Sequence, residues 1–159
     1  MERQKYKIAI LGGTGAQGSG LALRLAVAGH AVTIGSRDAA RARTAAAELA
    51  ARVGKAIAGA DNHTAAADAE IGMLTVPYAA QRATVEEVLA ALAGKILIDA
   101  TVPLVPPKVG MVQLPGGRSA VAAIQELAGN SVRVVSAFQN VSAQHLGDLA
   151  PTGTHCSGG

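Results

Sequence analysis

Gly13, Gly15 and Gly18 stand at G-x-G-x-x-G spacing, directly after the apolar run KIAIL and directly before the helical-looking SGLALRLAVAG. Glycines so placed between a strand and a helix can cradle a phosphate. The first permits the tight turn, the second lets the backbone approach a pyrophosphate with no Cβ in the way, and the third allows close helix–strand packing. The amides of the first helical turn have no partner inside the helix and face the anion. A glycine turn of this kind also occurs for structural reasons alone, so the motif needs a second discriminator.

That discriminator lies at the end of the next strand, where an NAD site presents Asp or Glu to the ribose 2′-hydroxyl. This chain reads TIGSRD there, offering the hydroxyl of Ser36 and the guanidinium of Arg37, with Arg41 one helical turn further on. A hydroxyl donor and two guanidinium groups suit a 2′-phosphate dianion, which points to NADP(H). Taken alone, Arg37 and Arg41 read equally well as surface residues behind an Asp38 helix cap; the glycine loop tips the balance. Two further strand ends, TVPYAA and DATVPL, place Pro77 and Pro103 just past the strands and offer the hydroxyls of Thr75, Tyr78 and Thr101. Pro fixes the backbone of such loops, which would border the nicotinamide half; plain turn punctuation explains either proline by itself.

No acid–base pair emerges. Asp99 falls at a strand end and His145 in a late segment, both read as structural, and His30, His63 and His155 are scattered without metal-ligand spacing. The expectation is therefore no catalytic side chain and no metal. The lone Cys156 cannot close an internal disulfide, which agrees with a reducing compartment.

Holding such a site requires an alternating scaffold. Strand-like runs at 7–11, 31–35, 56–59, 71–76, 96–99 and 133–137 alternate with helical spacing at Ala42, Ala45, Ala46, Leu49 and Val53, and at Val85, Val88, Leu89 and Leu92, with a further helical run over 119–127. This pattern predicts an α/β fold: a Rossmann-type, doubly wound, mostly parallel sheet with helices on both faces. Gly29 is expected to end the first helix. The Pro- and Gly-rich stretch 101–117 reads as a long loop at the carboxyl edge of the sheet, where ligands bind in such folds. Residues 150–159 read as a turn into a strand without a successor.

The chain of 159 residues is one domain long, 50% hydrophobic and 16% charged, so it can bury a core. Its apolar runs are too short to span a bilayer and its start lacks a secretory signal, leaving a cytoplasmic protein without a membrane partner. A net charge of +3 with only 2% aromatic residues argues against nucleic acid and for a modest anionic ligand.

With these motifs in hand, the chain resembles the NADPH:F420 oxidoreductase family over KIAILGGTGAQGSGLALRLAVAGHAVTIGSRD, LTVPYAA, ILIDATVPLVPP, GRSAVAAIQEL and VVSAFQNVSAQHL. The resemblance implies hydride transfer between NADP(H) and the deazaflavin coenzyme F420. It implies that Thr14, Gly15, Ala16 and Gln17 hold the pyrophosphate, that Ser36, Arg37 and Arg41 hold the 2′-phosphate, and that Val76, Val102 and Ala143 border the nicotinamide. It further implies a homodimer. The chain departs from the family pattern at Gln139, where the family carries His. Residues 1–159 are expected to form a single NADP-binding domain without the family's C-terminal helical extension. Two other readings stay open on the residues alone: a nucleotide-sensing module without catalysis, and an NADPH-dependent imine or carbonyl reductase.

Overall fold

The structure is a computed structural model that describes residues 3–103 and 119–149. Its strands are β1 (Lys7–Leu11), β2 (Ala31–Ser36), β3 (Ile57–Asp61), β4 (Ile71–Leu74), β5 (Ile96–Asp99) and β6 (Arg133–Ser136). They form one parallel sheet in the order β3-β2-β1-β4-β5-β6. Between and after them run α1 (Ala16–Val27), α2 (Ala39–Val53), α3 (Asn62–Asp68), α4 (Tyr78–Val88), α5 (Ala120–Ala128) and α6 (Ala143–Gly147).

The central strand shows why the sheet must be covered on both sides. Ile8 and Ile10 pack with α1, α2 and α6, whereas Ala9 and Leu11 pack with α3, α4 and α5. Successive side chains point to opposite faces, so a strand buried on both reads as a continuous apolar run. The Rossmann-type, doubly wound expectation holds, with every strand pair parallel.

Helix ends explain the short connections. After α1, Gly29 takes φ +96°, its amide donates to Ala26 O, and the His30 amide donates to Leu25 O. This closes the helix and feeds β2 through the short turn 28–30. Asp38 caps α2 through Oδ1, which accepts from the Ala40 and Arg41 amides at 2.9 and 3.2 Å.

The registers align the strand ends: Leu11 lies opposite Gly35 and Leu74, Leu74 opposite Asp99, and Asp99 opposite Ser136. β1 is thus flanked by strands whose connections leave on opposite faces. A crevice opens between the diverging connections, the place where doubly wound sheets take ligands. Most of the loop expected over 101–117, and all of 150–159 with His155 and Cys156, lie outside the described residues. Among the described residues no helix is long and apolar enough to cross a membrane.

Candidate functional site: a cleft at the carboxyl edge of the sheet

At the crevice lies a cleft of about 590 Å³. Its floor is the glycine turn and the start of α1, with Gly12, Thr14, Gly15, Ala16 and Gln17. One end is formed by Ser36, Arg37, Arg41 and Asn62, the other by Thr75, Val76, Pro77, Tyr78, Thr101 and Val102. The structure therefore gathers thirteen of the residues singled out from sequence into one space. Of the rest, Gly13 and Gly18 are buried beneath the turn, Pro103 lines a neighbouring hollow, and Ala143 begins α6 away from the cleft lining.

Each glycine has a separate reason. The left-handed turn falls on Gly12, at φ +71°, not on Gly13; a side chain there would also run into Val76 Cγ1. Gly13 is required by close approach, since a Cβ would lie 2.7 Å from Ile10 O, and its amide donates to Gly35 O at 3.0 Å. Gly18 binds helix to sheet: its Cβ would stand 2.6 Å from both Gly13 Cα and Thr75 Oγ1. Gly15 is different. It caps α1 at φ −81° and ψ 170°, a conformation open to any residue, and a Cβ there would meet nothing within 4 Å. The protein's own packing does not need that space, which leaves room on the turn for an anion such as a pyrophosphate. The cap makes no side-chain hydrogen bond and the first turn of α1 holds no acid, so the helix end is open to an anion.

At the Ser36 end the charge is unspent. Neither Arg37 nor Arg41 is held by an ion pair or side-chain hydrogen bond among the described residues, and both are exposed at the mouth. Ser36 is nearly buried, and its Oγ accepts from the Asp38 amide at 3.2 Å while its proton stays available. The Asp38 carboxylate is turned to the α2 amides. These groups fit a 2′-phosphate.

At the opposite end the sequence-level hydroxyls separate. Thr75 Oγ1 donates to Leu11 O at 3.0 Å and ties β4 to β1. Thr101 belongs to a buried set in which Gln81 Nε2 donates to Asp99 Oδ2 at 2.6 Å and to Thr101 Oγ1 at 2.7 Å, while the Thr101 amide donates to Asp99 Oδ1 at 2.9 Å. Asp99 is fully enclosed, and both its oxygens are engaged in fixing the wall that carries Thr101 and Val102. Removing the donor exposes that dependence: Gln81→Leu should destabilise the fold by about 1–3 kcal/mol, the usual consequence of stripping a hydrogen bond from a buried polar group. A thermal melt with no shift would contradict this.

Asn62 and Gly12 escaped the sequence reading, as did the short helix that carries Asn62. Asp61 caps α3, accepting from the Thr64 amide at 2.8 Å and from Thr64 Oγ1 at 2.7 Å. These bonds hold the exposed Asp61 carboxyl below its usual value. The signal was present as D-N-H-T, an N-cap acid with a hydroxyl three residues on. Because the folded-state value is depressed, this cap supports α3 above the ordinary carboxylate range and is lost as pH falls through the lowered value.

Sheet order, glycine turn and cleft together define a Rossmann-type domain of the dinucleotide-binding class. The family model for "NADP oxidoreductase coenzyme F420-dependent" matches residues 7–103. An F420-dependent NADP reductase of Methanothermobacter marburgensis is 49% identical over 150 residues, covering 90% of this chain and 67% of that protein. One from Methanocaldococcus jannaschii is 40% identical over 151 residues, covering 90% and 67%. Among solved structures, a candidate F420-dependent NADP reductase from Arthrobacter sp. FB24 superposes with a TM-score of 0.73 at 30% identity, covering 87% of this chain and 65% of that one. The chain belongs to the F420-dependent NADP oxidoreductase family. It spans about two thirds of the length of these relatives.

Proposed function

We propose that this chain binds NADP(H) in the cleft and serves hydride transfer between that nucleotide and coenzyme F420. The observation that carries the reading is the pairing of a protein-unneeded void at Gly15 with two unengaged guanidinium groups at Arg37 and Arg41. One matches a pyrophosphate and the other a 2′-phosphate. Family membership supplies the deazaflavin partner.

In this reading Thr14, Gly15, Ala16 and Gln17 carry the pyrophosphate on backbone amides, with Gly13 and Gly18 shaping the turn beneath. Ser36, Arg37 and Arg41 take the 2′-phosphate. Val76, Pro77 and Val102 wall the nicotinamide end. Ala143, which the resemblance sets beside the nicotinamide, begins α6 outside the lining of the cleft. The neighbouring hollow lined by Pro103, Ser119, Ala120, Val121, Ser136 and Gln139 shares Thr101 and Val102 with the cleft, so a second ring system placed there would abut the first. Gln139 lies on that wall, its Oε1 accepting from Ser136 Oγ at 2.6 Å. The homodimer and the cytoplasmic location belong to the same proposal and rest on the family.

The bound nucleotide supplies the hydride, and the protein supplies proximity and orientation. No side-chain acid is required. His145 is exposed, and its contact with Arg24 is made by its backbone oxygen, so His145→Ala should change kcat by less than about threefold, well under the roughly 100-fold that general acid–base catalysis contributes. A loss of several orders of magnitude with NADPH binding intact would favour an acid–base reductase. The test of the function itself is NADPH oxidation by the purified chain, with and without F420. Oxidation that requires F420 supports the proposal; NADPH binding with no turnover favours the nucleotide-sensing alternative.

A further inference from the structure

Asn62 is 1% exposed, yet it lines the cleft. Its Oδ1 accepts from the Gly12 amide at 3.2 Å, the amide of the residue at the left-handed turn. Because an N–H requires an acceptor, this bond fixes which way the carboxamide faces. A Cβ on Gly35 would stand 2.8 Å from the same oxygen, so the end of β2 is kept bare where the carboxamide lies. The amide is thus lodged between the ends of β1 and β2. Its Nδ2 has no protein partner among the described residues, and no fully enclosed side-chain polar atom lacks one, so Nδ2 reaches the open space of the cleft.

That position has chemical meaning. Gly12 leads into the turn proposed for the pyrophosphate, and Ser36 and Arg37 follow Gly35 at the end proposed for the 2′-phosphate. The adenosine ribose spans those two groups in any dinucleotide bound this way. We infer that Asn62 is a second determinant of nucleotide choice: its Nδ2 donates to the 3′-oxygen of the adenosine ribose, and its neutrality tolerates the adjacent 2′-phosphate. An acid at this point could accept from both hydroxyls of an unphosphorylated ribose and would repel a phosphate dianion. The inference rests on the NADP(H) reading of the cleft.

Asn62→Asp tests it, because a carboxylate oxygen still accepts from Gly12 while the donor becomes a charge. Affinities for NADPH and NADH are measured by titration calorimetry on the wild-type chain and the variant. The expected result is a fall of roughly tenfold or more in the NADPH:NADH affinity ratio, as a like charge set against a phosphate demands. Equal weakening of both nucleotides, or no change in either, would reduce Asn62 to a support for the turn and overturn the inference. A wild-type chain that binds neither nucleotide would instead defeat the NADP(H) reading, so the two failures are distinct. The wild-type protein offers a readout independent of the variant. The Asn62 side-chain NH₂ resonance, assigned through its proximity to the Gly12 amide, should move on saturation with adenosine 2′,5′-bisphosphate and stay in place with nicotinamide mononucleotide. No movement with the bisphosphate would also overturn the inference.

Discussion

Gly15→Val should abolish NADPH binding while the chain remains folded. The expectation rests on the contrast among the four glycines of the turn. A side chain at Gly12, Gly13 or Gly18 would collide with Val76, Ile10 or Thr75, so substitutions there would damage the sheet and the binding site together. At Gly15 the backbone is extended and the added atoms enter open cleft. The structural penalty is then limited to a poorer N-cap for α1, about 1 kcal/mol, visible as a small fall in melting temperature. The isopropyl group would occupy the surface on which the pyrophosphate must lie within hydrogen-bonding distance of the amides. Circular dichroism and calorimetry on the same sample separate the two effects. A folded variant that keeps wild-type affinity for NADPH would remove the phosphate-cradle assignment.

Arg37→Ala should cost NADPH binding far more than NADH binding. A charge-assisted hydrogen bond contributes roughly 1.5–3 kcal/mol, so NADPH affinity should fall by about ten- to a hundredfold. NADH lacks the 2′-phosphate and should change little. The loss should be largest at low ionic strength, because Arg37 is exposed and salt screens it. Arg41, in the first turn of α2, should show the same selectivity with a smaller loss, since Arg37 and Ser36 remain beside the phosphate. Equal weakening of both nucleotides would mean that Arg37 acts elsewhere.

The sheet was legible because its strands are apolar runs with glycine and acid punctuation. β1 and β5 fall where the pattern puts them. The departures have local causes. β3 runs to Asp61 rather than stopping at Gly59, because the ladder with β2 continues through the Ser36–Asp61 pair. β4 stops at Leu74, two residues early, as the chain turns to set Val76 over Gly12 ahead of Pro77. α3 and α6, at seven and five residues, are too short to display a helical stripe, and they are held by tertiary contacts. For α6 the contact is Arg24, whose guanidinium donates to the backbone oxygens of His145, Leu146 and Asp148, together with Gly20, bare where α6 crosses.

The cleft was legible at the two ends proposed for phosphates, where glycine spacing and the Ser36–Arg37 pair standing in place of an acid at the end of β2 carry chemistry in residue type alone. It was not legible at Asn62. A polar residue distant in sequence from Gly12 reveals its partner only when β3 has been laid beside β2. Nor could sequence show that Thr75 and Thr101 are taken up by Leu11 and Gln81, since a hydroxyl at a strand end reads the same whether free or engaged.

Isotope transfer follows the proposed hydride from NADPH to F420. NADPH carrying deuterium at the transferable position of nicotinamide C4 is incubated with the purified chain and F420, and the reduced deazaflavin is analysed by mass spectrometry. A deazaflavin accepts the hydride on carbon, where it does not exchange with water. One deuterium retained in the reduced F420 is the expected result. Reduced F420 without the label, or NADPH oxidation that proceeds equally without F420, would contradict it.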